Sequence, residues 1–212
     1  MIVLSIDTTI DACQAAVLDG DTALAACSEA MTRGHQERLA PLVAETMAQA
    51  GVAFSTLDRV AVTVGPGSFT GVRVGLAFAR GLALALDIPC IGLGALEALA
   101  ASAGGAGKVA AAIDAKRGQV YLQLFDRGRP TAPPEALDLE VATARLGEFA
   151  EAGPVVLAGT GAALLVATIG KATTGPERPD PIVIARLGRD AAAPEAPPRP
   201  IYLRAPDARL PA

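Results

Sequence analysis

Tryptophan is absent, aromatic residues make up 3% of the 212 positions, and there is one histidine, His35. Each scarcity excludes something. So few rings argue against a base-stacking platform for single-stranded nucleic acid. A lone imidazole with no Cys/His cluster is a poor ligand set for zinc. The three cysteines, Cys13, Cys27 and Cys90, lie far apart, lack CxxC spacing and cannot all pair within one chain, so they read as packed thiols. Lys and Arg number 18 against 22 Asp and Glu, a net charge of −4. Neutralising phosphates needs a cationic excess, so any RNA is expected to be held mainly by a partner. The apolar run from Ala79 to Leu86 is interrupted by Arg80 and followed by Asp87 and Pro89, short of the roughly 18 residues of a membrane span. Residues Met1 to Asp7 lack the basic start and cleavage site of a signal peptide. These readings predict a folded cytoplasmic protein with no membrane contact.

What is present is ample apolar content, 51% of residues, enough for one large domain or two compact lobes. Ile2 to Ile6 reads as a buried strand ending at Asp7. Thr8-Thr9, a strand over Cys13–Leu18, a turn at Asp19-Gly20-Asp21 and a strand over Thr22–Ser28 complete a meander. The pattern returns at Val109–Ile113, which ends at Asp114 before a polar turn and a strand over Gln119–Phe125. Asp7 precedes Asp19 by twelve positions and Asp114 precedes Asp126 by twelve, with Gly20 and Gly128 just beyond, which suggests a duplicated lobe. Between the openings, Leu39, Leu42, Val43, Met47 and Ala50 fall on one helical face before Gly51. A strand over Arg59–Val64 follows, then a second helix from about Phe69 to Leu86. That helix places Gly71, Gly75, Ala79 and Ala83 on one stripe, open to close packing within the chain or against a partner helix. Further on, a helix is expected over Ala142–Ala150 and a strand over Val155–Ala158. After Gly159-Thr160-Gly161 comes a weak helix, and an extended Ala/Pro-rich segment leads into Pro200–Arg204.

The stretch Gly65-Pro66-Gly67-Ser68-Phe69-Thr70-Gly71-Val72-Arg73-Val74-Gly75 lies between strand and helix. Glycines there allow close approach, and the helix start offers amides and a partial positive charge, so an anion site at Asp7, Thr8, Gly65, Gly67 and Ser68 is one reading. A tight turn at Pro66 with Ser68 or Thr70 capping the helix is the other. The spacing is neither the Walker nor the Rossmann pattern. As a whole, the string resembles the signature of the TsaB (YeaZ) family. Asp7-Thr8-Thr9, Gly34-His35-Gln36, Ile113-Asp114-Ala115-Lys116-Arg117-Gly118 and Pro200-Ile201-Tyr202-Leu203-Arg204 are similar to further positions of that family.

The resemblance implies an α/β fold of two actin-like (ASKHA, ribonuclease H-like) lobes with mixed sheets and flanking helices, residues 1–104 and 105–212, the second abbreviated. It implies an accessory subunit that pairs with TsaD, joined by TsaE, in forming threonylcarbamoyladenosine at adenosine 37 of tRNA. TsaD's metal-binding His-x-x-x-His falls here on Ala95 and Leu99, which cannot ligate metal; Glu97 alone is a weak site. The expectations are therefore no catalytic residue, no metal, and little or no nucleotide binding by this chain, with ATP and Mg²⁺ used by the complex and tRNA held mainly by TsaD. His35, Leu39, Leu42, Gly71, Gly75 and Ala79 are the expected partner interface, with a homodimer through the same surface as the form without TsaD. Asp7 and Asp114 read as inherited turn residues, and the roles of Arg73 and Arg204 stay open. The rival readings are an actin-like ATPase or kinase acting alone, and a peptidase. The last lacks HExxH, a GxSxG elbow and an acidic orienter for His35.

Overall fold

The computed structural model describes residues 1–104, 106–166 and 172–204. The chain opens with strands β1 (Ile2–Asp7), β2 (Ala12–Asp19) and β3 (Thr22–Ala30), an antiparallel meander in which Asp7 lies opposite Gln14 and Asp19 opposite Thr22. The positive φ of Gly20, 55°, supplies the tight turn. Strands β4 (Arg59–Thr63) and β5 (Cys90–Leu93) then add in parallel, giving the order β3-β2-β1-β4-β5.

This sheet is covered on both faces, so β1 is a nearly continuous buried run. Because side chains alternate along a strand, Leu4 and Ile6 meet helices α1 (His35–Ala50) and α2 (Phe69–Leu86) on one side. On the other side Val3, Leu18, Ala61 and Ile91 meet Ile184 and Ala185 of helix α6 (Pro181–Asp190). Each fully buried leucine or isoleucine here contributes about 1.5–3 kcal/mol. Gly51 closes α1 in the left-handed conformation expected of a helix stop.

The second sheet repeats the first. Strands β6 (Lys108–Lys116) and β7 (Gln119–Asp126) form the hairpin, β8 (Arg129–Pro130) and β9 (Glu135–Asp138) both pair with β7, and β10 (Val155–Ala158) and β11 (Ala172–Thr174) add in parallel beyond β6. Reversed, the order β11-β10-β6-β7-β8 is the first sheet's order over again, so the duplication suggested by the Asp spacing is a duplication of topology. Helices α4 (Leu139–Glu151) and α5 (Ala162–Leu165) cover one face. Helix α3 (Ala95–Ser102) lies between the lobes, with Leu96 and Leu99 packed on Val109, Ala111 and Phe125 and with Ala98 in the cluster of the first sheet.

Two expectations are corrected. A boundary at residue 104 assigns everything later to the second lobe, yet α6 packs on the first sheet and Ile201 N donates to Val64 O at 2.8 Å. The reason is chemical: the back of the first sheet needs an apolar cover, and α6 supplies Ile184 and Ala185. Helix α2 also runs uninterrupted for 18 residues and, by length and composition alone, is long and apolar enough to cross a membrane. Its Gly71–Gly75–Ala79–Ala83 side is seated on the first sheet of its own lobe.

Candidate partner surface and the closed loop at Asp7

Asp7 is wholly buried, and both carboxylate oxygens are engaged. They accept from Thr9 N at 3.0 Å, Thr9 Oγ1 at 2.6 Å, Thr63 Oγ1 at 2.5 Å and Gln14 Nε2 at 3.0 Å. A carboxylate with four donors from its own lobe is held for structure and has little left for a magnesium shell. Thr8, also buried, donates from Oγ1 to Gly71 O at 2.7 Å.

The glycine loop closes on that turn. Ser68 N donates to Thr9 O at 2.9 Å, and Ser68 Oγ caps α2 by accepting from Gly71 N at 3.3 Å. A Cβ on Gly67 would come within 2.3 Å of Thr9 O, and one on Gly65, whose φ is 98°, within 2.9 Å of Ile201 O. Asp7, Thr8, Gly65, Gly67 and Ser68 are thus brought together as the phosphate-site reading requires, but against one another. The capped-turn reading is the one this geometry supports: the glycines permit backbone contact with Thr8, Thr9 and Ile201. Beside the turn an interlobe cleft of about 270 Å³ remains, lined by Ser68, Asp114, Lys116 and Thr160, with neither Asp7 nor Thr8 on its wall. In it Lys116 donates to Asp114 from N at 2.7 Å and Nζ at 2.8 Å. Burial raises the Asp114 carboxyl, but those two hydrogen bonds and the Lys116 charge together outweigh it and hold the group below its usual range.

The six residues expected at a partner interface are all buried within the chain. Leu39, Leu42 and Ala79 belong to the core under α1 and α2, and His35 is buried at the start of α1. A Cβ on Gly71 would stand 2.0 Å from Thr8 O, and one on Gly75 2.4 Å from Thr8 Oγ1. The small-residue stripe therefore serves packing within the chain, the other alternative that the sequence allowed. Of the six, Leu39 alone also lines the groove between α1 and α2.

The side of α2 turned away from the sheet carries what the sequence reading missed. Phe69 is 42% exposed and Leu84 is 84% exposed. A groove of about 590 Å³ between α1 and α2 is lined by Gln36, Leu39, Phe69, Arg73, Ala77 and Phe78, among others. The available signal was that α2 is apolar on both faces, which a helix covered on one face does not require. Arg73 lies with its guanidinium carbon 3.7 Å from the Phe69 ring centroid, and its Nε donates to Tyr202 Oη at 2.9 Å. Arg204 Nη1 donates to Ala115 O at 2.8 Å, so residues 200–204 bridge α2 to the β6–β7 hairpin. Ala95 and Leu99 are fully buried among apolar side chains.

Two sheets of matching topology, each opened by a strand-Asp-turn-strand hairpin and facing one another across a cleft, define an actin-like two-lobed α/β protein. Residues 28–158 match the family model described as TsaD: tRNA N6-adenosine threonylcarbamoyltransferase. The chain belongs to this family and, within it, to the TsaB (YeaZ) branch. The chain is 39% identical over 130 residues to the Escherichia coli tRNA threonylcarbamoyladenosine biosynthesis protein TsaB, a match covering 60% of this chain and 56% of that protein. It thus spans about half the length of the curated relatives of that name. An uncharacterized Mycobacterium tuberculosis protein is 34% identical over 210 residues, covering 98% of this chain and 93% of the other. The solved structure of YeaZ from Pseudomonas aeruginosa superposes with a TM-score of 0.78 at 32% identity, covering 95% of this chain and 99% of that one.

Proposed function

We propose that the chain is a non-catalytic, activating subunit that docks on TsaD during threonylcarbamoyl transfer to adenosine 37 of tRNA in the cytoplasm. The observation that carries this reading is the outward face of α2, where Phe69 is 42% exposed at the groove shared with α1 and Leu84 is 84% exposed on a second groove that begins at Ala77. Large exposed apolar side chains around a groove mark contact surfaces. The docking face is therefore Phe69, Ala77, Phe78 and Leu84 together with the outer side of α1, and the stripe at Gly71, Gly75 and Ala79 supports it from beneath. Ala95 and Leu99 offer no ligand for a metal, so the reacting groups, ATP, Mg²⁺ and most of the tRNA contact belong to TsaD and to a third component, TsaE.

The test is threonylcarbamoyl transfer by purified TsaD with its other factors, with and without this chain, alongside size-exclusion of the mixture. Activity only in the mixture, together with a co-eluting complex lost on Leu84→Arg, is the expected result. Turnover by this chain alone, or a complex untouched by Leu84→Arg, overturns the reading.

A further inference from the structure

Helix α2 carries two charged side chains, Arg73 and Arg80, and no acid in 18 residues. Seven positions apart, they share one face and lie about 10 Å apart along the axis. Both are exposed, and neither lies within ion-pair distance of a carboxylate among the described residues. The nearby acids are committed or short of reach. Glu45 and Glu29 both pair with Arg38, while Asp87 and Glu195 line the groove beside Arg80 without pairing with it. Arg73 is also held in place, with Phe69 under its guanidinium and Tyr202 Oη on its Nε. A stacked guanidinium loses less freedom on binding and presents a planar fork suited to a carboxylate.

Covering this face with a purely apolar helix would desolvate two guanidinium groups with nothing opposite them, which opposes binding strongly. We infer that the partner helix seated on α2 carries two carboxylates two turns apart, one meeting Arg73 and the other Arg80. This inference rests on the docking reading above and specifies the chemistry of the partner. The cation pair thus selects a partner helix that presents carboxylates over one that does not.

The experiment compares wild type, Arg73→Glu, Arg80→Glu, Arg80→Lys and Leu84→Arg in titrations against purified TsaD at low and high salt, each variant first checked for native circular dichroism. Wild-type affinity should fall with salt, each Glu variant should bind at least tenfold more weakly with a flattened salt response, and Arg80→Lys should stay near wild type. Lysine substitutions of acids on TsaD's contacting helix should restore Arg80→Glu. Both Glu variants binding like wild type, while Leu84→Arg abolishes binding, overturns the carboxylate pair and leaves the docking reading standing. Leu84→Arg binding like wild type removes both.

Discussion

Thr8 and Gly71 hold each other through two contacts: Thr8 Oγ1 donates to the Gly71 carbonyl at 2.7 Å, and the Thr8 carbonyl oxygen lies 2.0 Å from where a Gly71 Cβ would stand. The loop at Asp7 and the first turn of α2 are therefore one packed unit, and the glycine is required by proximity.

Glycines along α2 should respond to alanine with opposite signs. Gly71→Ala forces apart a backbone contact and is expected to cost about 1–3 kcal/mol, as overpacking does. Gly81 has open space at its Cβ, so Gly81→Ala should stabilise by up to ~1 kcal/mol through helix propensity. Urea midpoints of the two variants check this pair; equal shifts would contradict the seating of α2.

Asp7→Asn replaces an acceptor oxygen with a donor amide among four donors. The expected loss is about 1–3 kcal/mol, because a buried donor is left unmatched. A lowered melting temperature, with proportionate activity of the assembled complex below that temperature, is the predicted result. Unchanged stability with lost activity would make Asp7 a functional ligand.

Thiol reagents should distinguish the three cysteines. Burial pushes Cys13 and Cys90 up to about 11, while Cys27 is only partly covered. One thiol per native chain should label quickly, and Cys27→Ser should abolish that fast phase. The same shifts set a pH response. The unfolded thiols deprotonate first as pH climbs past 9.0, so folded stability should decline between about 9 and 11. Replacing both buried cysteines with alanine should flatten that decline in a thermal-melt series.

Millimolar Mg-ATP should leave the melting temperature of the isolated chain unchanged. A ligand at a hundredfold excess over its Kd adds ~2.7 kcal/mol, a shift easily seen. A clear rise would restore the nucleotide-binding reading and require the cleft of about 270 Å³ to open.

Much of the architecture was legible because local pattern and tertiary need agree. The Asp7/Asp19 and Asp114/Asp126 spacings are the two hairpins, Gly51 ends α1, and Phe69–Leu86 is α2 to the residue. Helix α6 was missed although Asp180-Pro181 is a strong start, with Asp180 Oδ1 accepting from Ile182 N at 2.8 Å. Its position on the first sheet is a contact between residues about 180 apart in the chain, which no local pattern encodes. The stripe Gly71, Gly75 and Ala79 was legible as a close-approach surface, and the structure turns it toward its own lobe. A stripe of small residues signals close approach, but it cannot say whether the approaching group is another helix or, as here, the backbone of Thr8.

Covering the back of the first sheet with α6 has a consequence for synthesis. Val3, Leu18, Ala61 and Ile91 are made early, but the helix that shields them is encoded at residues 181–190. A nascent chain therefore carries an uncovered apolar sheet face until residues 181–190 have left the ribosome, an interval in which exposed apolar surface favours association over folding.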